Sequence, residues 1–106
     1  MRVVERKMIK AVRNETGMKC GNTIVCGGVV YLHGHAIAKF SADGLFISDR
    51  GWQTATTKSR LNAILGAFNC GRIYQRDHVW YHNGVVWNGS VFIPQRWFNA
   101  NYCGSV

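Results

Sequence analysis

Residues 54–68 constrain the fold of this chain more than any other stretch. Leu61, Ile64, Leu65 and Phe68 fall at i, i+3, i+4 and i+7, a spacing that an α-helix gathers onto one apolar face. That face must be core, and the pattern predicts a helix over 54–67. Its first two turns are unusual. A first helical turn normally carries acids, which complement the positive end of the helix dipole. Here Thr54, Thr56, Thr57, Lys58, Ser59 and Arg60 supply hydroxyls and positive charge instead. Hydroxyls, free backbone N–H groups and cations at a helix start favour an anion such as phosphate. Lys58 and Arg60 fall off the apolar stripe and are expected to face solvent. Asp49, Arg50 and Gly51 make a turn ahead of the helix. Trp52, next in line, either staples the helix start or stacks on a ligand, and the staple is the plainer role.

Short β-rich runs lie on both sides of this helix. Thr23–Cys26, Val29–Leu32, 35–40 and 45–48 alternate with Gly27-Gly28, Gly34 and Ser41-Ala42-Asp43-Gly44, the pattern of an antiparallel meander. After the helix, 72–76 and 78–82 are again β-rich. Asn83-Gly84 and Asn88-Gly89 are two-residue hairpin signals leading into Val85-Val86-Trp87 and 90–93. At the other end, Val4, Met8 and Val12, with Ala11 beside them, mark an N-terminal amphipathic helix that stops within 14–17. The expected fold is α+β: an N-terminal helix, an antiparallel β-meander, a central helix and a second β-meander with Asn-Gly hairpins. All of it forms a single globular domain over 1–106. The aromatic tail 95–106 is expected to pack in part.

Charge sets the class of partner. Thirteen Lys and Arg against five acids give a formal charge of +8, and eight of the 13 are arginine. So large an imbalance in a small domain favours a polyanion, most often nucleic acid. Arginine also suits bidentate phosphate or guanine contacts better than lysine does. Arg2, Arg6, Lys10 and Arg13 form a basic stripe along the first helix; a solvated face is the plain reading, contact with phosphate or an acidic partner the functional one. If 72–82 is one strand, Arg72, Tyr74, Arg76, His78, Trp80 and His82 share a face. Rings beside guanidiniums are what base stacking and backbone contact require. The competing reading puts a hairpin turn at Gln75-Arg76-Asp77-His78 and sends some rings into the core.

Catalysis and metal binding find little material. Cys20, Cys26, Cys70 and Cys103 are scattered without a C-x-x-C pair, so free thiols in or near the core are expected and a zinc site is not. His33 with His35, and His78 with His82, would each share a strand face, but nothing in the sequence brings the pairs together. Asp77-His78 followed by Asn83-Gly84 partly matches the start of an HNH nuclease motif, yet no His follows His82 to complete it. Glu5, Glu15, Asp43, Asp49 and Asp77 are the whole acidic inventory, and they form no paired-carboxylate arrangement. No catalytic residue, metal or cofactor is assigned. No apolar stretch approaches the roughly 20 residues of a membrane span. The charged start at 1–7 lacks a signal-peptide pattern.

Three segments together resemble a known group. Leu32-His33-Gly34-His35-Ala36-Ile37-Ala38, then Gly51-Trp52-Gln53-Thr54-Ala55-Thr56-Thr57-Lys58-Ser59-Arg60-Leu61-Asn62-Ala63, then Ile73-Tyr74-Gln75 with Val79-Trp80-Tyr81, are similar to a set of small tailed-bacteriophage proteins. The shared pattern is LHGxxIA followed by GWxTxTTKxRLNA. The resemblance spans about 29–81 and implies a phage setting, a host-cytoplasmic location and reduced thiols. It implies no particular activity.

The sequence therefore points to a non-enzymatic, basic phage accessory protein that binds nucleic acid, DNA ahead of RNA. The residues expected to carry binding are Arg50, Trp52, Thr54, Thr56, Thr57, Lys58 and Arg60 at the central helix, Arg72, Tyr74, Arg76 and Trp80 on the strand face, and Arg6, Lys10 and Arg13 on the first helix. The alternative partner is a host protein with an acidic surface, for which Trp97, Phe98 and Tyr102 would supply contacts. A weaker alternative is a metal-dependent nuclease using His78 and His82. An exposed strand edge or the aromatic tail would support a homodimer, and no membrane contact is expected. Whether the nucleic acid is single- or double-stranded stays open at this stage.

Overall fold

Helix α1 (Val3–Arg13) turns Met8, Ala11 and Val12 inward and keeps Arg6, Lys10 and Arg13 outside, as the apolar spacing predicts, with Arg2 exposed at the N-cap; Ile9 is buried as well, and Val4 is half-buried. The computed structural model describes residues 2–95, so Trp97, Phe98, Tyr102 and Cys103 lie outside the described residues. Past Asn14 the chain enters five strands: β1 (Met18–Cys20), β2 (Thr23–Cys26), β3 (Val29–Leu32), β4 (His35–Ser41) and β5 (Gly44–Ser48). Each pairs antiparallel with the next. His33-Gly34 takes φ of 52° and 81°, the double left-handed conformation of a type I′ hairpin turn. A bulge between Val30 and Tyr31 in the β3–β4 pairing lets Ile37 and Ala38 both turn into the core.

Helix α2 (Ala55–Ala67) occupies the predicted place, with Leu61, Ile64, Leu65 and Phe68 fully buried. It lies between two sheets, touching β4 on one side and β6 (Ile73–Arg76) on the other. β6 begins a small antiparallel sheet with β7 (Val79–His82) and β8 (Val85–Val86). The architecture is α+β, with two helices and sheets of six and three strands.

Of the two readings of 72–82 the hairpin turn holds: Asp77 and His78, at φ 51° and 69°, make a two-residue turn between β6 and β7. One local expectation is corrected: Asn88-Gly89 does not close a hairpin in the second meander. The chain crosses there to β9 (Ser90–Pro94), which pairs with β5 and completes the larger sheet in the order β1-β2-β3-β4-β5-β9. Gly44 permits this closure, because a Cβ at its φ of 149° would collide with the Ile93 carbonyl. The gain is burial of Ile93 opposite Leu45 in the main core.

The largest correction concerns Arg60, which is buried rather than solvent-facing. Its guanidinium lies 2.8 Å from the Glu5 carboxylate and donates from Nε to Thr23 Oγ1 at 3.0 Å. The Ser59 hydroxyl bonds the same Glu5 oxygen, and the other oxygen accepts from the Arg2 N–H at 3.4 Å. A helix packed on several sides has interior flanks as well as an interior stripe, and position 60 occupies one. At the far end of the helix pair, Arg13 donates to the Ala67 carbonyl at 2.8 Å and lies 5.4 Å over the Phe68 ring. The two helices thus run side by side in the same direction, tied near both ends.

Arg60→Ala should lower stability by about 3–5 kcal/mol in urea denaturation, because it strands a buried carboxylate. The double variant Glu5→Leu/Arg60→Met should recover most of that loss. Wild-type stability in Arg60→Ala would mean that the pair is effectively solvated.

Candidate nucleic-acid interface

The start of α2 is largely satisfied by its own residues. Thr54 Oγ1 accepts from the Thr57 N–H at 3.1 Å and lies 3.0 Å from the Thr57 hydroxyl, while Thr57 itself is buried. Two threonine hydroxyls therefore serve the N-cap, the usual task of a Thr at this position. With Arg60 in its buried pair, the anion site expected at the helix start loses Thr54, Thr57 and Arg60. Thr56, Lys58, Arg50 and Trp52 keep some exposure.

Lys58 reaches across to the small sheet. Its Nζ donates to Gln75 Oε1 at 3.3 Å and sits 5.6 Å from the centroid of the Trp80 ring. Trp80 is buried, so it is a wall of the core and not a stacking surface. Four residues along the helix, Asn62 bonds both backbone groups of Ile73, donating to its carbonyl at 2.8 Å and accepting its N–H at 2.6 Å. This pins the edge strand β6 to α2.

The two-residue turn at 77–78 then decides which rings share a face. Tyr74 pairs with Tyr81 across the ladder, and their rings stack at 5.5 Å with an interplanar angle of 12°. Arg76 stands two residues from Tyr74 on the same strand face, Arg72 lies just before the strand, and both are exposed. Lys58, Arg72, Tyr74, Gln75, Asp77 and His78 line an open cleft of about 660 Å³ between α2 and β6. The structure therefore keeps Tyr74 and Arg76 on one strand face with Arg72 close by, as the sequence suggests, replaces Trp80 there by Tyr81, and sets Lys58 against the opposite face, on Gln75 and Trp80. The sequence signal for Tyr81 was the turn itself: moving the reversal to 77–78 exchanges the ring that faces Tyr74.

The predicted stripe on α1 is a separate surface. Arg6 and Lys10 are exposed and line a groove with Arg13 and Ala67, but the Arg13 guanidinium is engaged with Ala67 and Phe68.

Trp52 does not staple the helix. Its ring is 57 % exposed and stands 5.9 Å from His35 at an angle of 31°. The loop that holds it is organised by Asp49, a buried carboxylate that sequence reasoning left without a role. Asp49 Oδ1 accepts from the Gly51 N–H at 2.8 Å, and Oδ2 accepts from Gln53 Nε2 at 3.1 Å and Trp87 Nε1 at 2.8 Å. The Trp52 N–H donates to the Asp49 carbonyl at 2.8 Å.

The histidines occupy separate settings. His33 and His78 sit in turns with positive φ, off the strand faces expected for them; His35 packs near Trp52, and His82 Nε2 lies 3.0 Å from the Cys70 carbonyl. Among the described residues no three His, Cys, Asp or Glu side chains cluster closely enough to hold a metal ion. Cys26 is exposed rather than near the core, Cys20 is half-buried and Cys70 is buried. Burial pushes the Cys70 thiol pKa upward, which disfavours its thiolate at neutral pH.

A family model described as Kyanoviridae Gp96 protein covers residues 1–102, so the chain belongs to that phage protein family. No curated protein and no solved structure matches it. No helix among the described residues is long and apolar enough to cross a membrane.

Asp49→Ala would leave three N–H donors without their acceptor and should destabilise the fold by on the order of 3 kcal/mol in chemical denaturation. A change below about 0.5 kcal/mol, the level of an ordinary surface substitution, would show that water replaces the carboxylate at no cost. Under native conditions at neutral pH, iodoacetamide should modify Cys26 well before Cys70, as read by mass spectrometry; the reverse order would contradict the burial and raised pKa of Cys70.

Proposed function

We propose that this member of the Kyanoviridae Gp96 family is a nucleic-acid-binding accessory protein acting in the host cytoplasm, with DNA as the preferred ligand. The observation that carries the reading is the stacked Tyr74–Tyr81 pair, with Arg76 on the same strand face and Arg72 just before the strand, in a chain of net charge +8. Aromatic faces accept bases whatever their sequence, and neighbouring guanidiniums hold the phosphates between them. Binding of this kind needs no metal and no acid–base pair, and it gains free energy by releasing counterions from the phosphates.

A second reading, a modulator of an acidic host protein, rests on α1, where Arg6 and Lys10 stand apart from the tyrosines. It predicts capture of a single host protein that nuclease treatment does not abolish.

Fluorescence anisotropy with labelled DNA and RNA at two salt concentrations tests the main reading. Affinity should fall steeply with salt, and Arg72→Glu/Arg76→Glu should weaken binding and lower the slope of log affinity against log salt by about 2. Both arginines are exposed, so the double variant should fold normally. Wild-type affinity in that variant would remove the tyrosine face from consideration.

A further inference from the structure

Trp52 is the most exposed Trp, Tyr or Phe ring among the described residues, although the nearby core would gain by burying it. It is not exposed through a slack loop. The Asp49 carboxylate grips the residues on either side of it, Gly51 and Gln53, and the Asp49 carbonyl takes the Trp52 N–H itself. Asp49 is fixed in turn by Trp87, from the segment that leads into β9. A network anchored on buried Asp49 and Trp87 thus holds an indole out over a cleft of about 460 Å³, inside the roughly 300–1,000 Å³ usual for small-ligand sites. The His35 ring stands beside the indole, buried Leu32 and Ile37 form the apolar wall, and Thr56 contributes to the lining.

Two tilted rings, an apolar wall and a hydroxyl suit a flat heteroaromatic group with a polar edge. Because the indole is fixed in advance, little ordering is lost when such a group stacks on it. Thr56 lines this cleft and Lys58 lines the cleft beside Tyr74, so the first turn of α2 joins the two sites.

We propose that the Trp52–His35 cleft receives one unstacked base, and that the ligand is therefore single-stranded nucleic acid whose neighbouring nucleotides reach the Tyr74–Tyr81 face. This rests on the nucleic-acid-binding reading above and adds the strand class to it. A base inside a duplex is paired and stacked and would first have to be extracted, whereas a single strand offers bases already free.

The test compares a labelled oligothymidine with a duplex of equal length, using wild type, Trp52→Ala, Trp52→Phe and Arg72→Glu/Arg76→Glu, with thermal melts to establish that each is folded. Wild type should prefer the single strand. Trp52→Ala should weaken oligothymidine binding by about tenfold or more, the effect of losing one stacked base. Trp52→Phe should retain most of the affinity, and duplex binding should not change with either variant. Unaltered oligothymidine affinity in Trp52→Ala, alongside a loss in the arginine variant, would overturn the cleft while leaving the tyrosine face standing. An equal loss for single strand and duplex in Trp52→Ala would also overturn it, since the ring would then not discriminate strand class. Failure of wild type to bind either probe at low salt would overturn the nucleic-acid reading, and the cleft with it.

Discussion

The Glu5–Arg60 ion pair is the joint from which the rest of the molecule takes its geometry. It ties the first turn of α1 to the middle of α2 and, through Thr23, to β2. Two charges taken out of water gain little net stability from their attraction, because desolvation offsets it, but they tolerate no other arrangement once buried. The pair therefore acts chiefly on register. With Glu5 seated against Arg60, Arg13 arrives at the Ala67 carbonyl at the other end of the helices. It also fixes the rotation of α2. Successive residues turn by about 100°, so Lys58 and Asn62 share a flank that lies some 160° from Arg60. That flank meets β6, where Asn62 locks the Ile73 backbone and Lys58 covers Trp80. The position of the small sheet, and of the tyrosines it carries, follows from the burial of one arginine.

Asp49 does for the loops what Glu5 does for the helices. Its carboxylate takes three N–H groups and joins no ion pair among the described residues. One donor comes from the backbone before α2, one from Gln53 and one from Trp87, so the β5–α2 loop and the approach to β9 are held to a single group. Glu5 takes Arg60 into the interior with it, so that pair leaves the surface balance unchanged, and Asp49 alone removes an uncompensated acid. Glu15, Asp43 and Asp77 are the exposed acids.

Much of the fold was legible because it follows local periodicity. The Leu61, Ile64, Leu65 and Phe68 stripe and the Met8, Ala11 and Val12 face gave both helices, and glycine-rich turns gave the first meander. What was hidden depends on contacts distant in sequence. Asn88-Gly89 carries a turn preference but no information about which strand follows it, and the burial of Ile93 against Leu45 sent β9 to the other sheet. The face of Tyr81 depended on turn length: a reversal at 77–78 puts Tyr81 beside Tyr74 and turns Trp80 inward. Arg60 lies next to Leu61 yet far from Glu5 in sequence, and no spacing rule joins residues 5 and 60. Asn62 and Asp49 looked like ordinary polar residues for the same reason: their partners are brought to them by the fold.

The first turn of α2 shows how stability and surface potential are reconciled. An acid at the N-cap or in that turn would complement the helix dipole, yet the turn contains none. Thr54 supplies the cap with a neutral hydroxyl that accepts from Thr57, so the backbone is satisfied without adding negative charge. The helix forgoes the dipole interaction and adds no carboxylate of its own beside Lys58, although Asp77 lines the same cleft. An anion drawn to this region would then meet side-chain cations and rings more than bare helix amides, several of which are already bonded. On the proposed reading, recognition at such a surface would depend on charge and stacking together, because the cations attract any phosphate and the rings favour a partner whose bases are accessible.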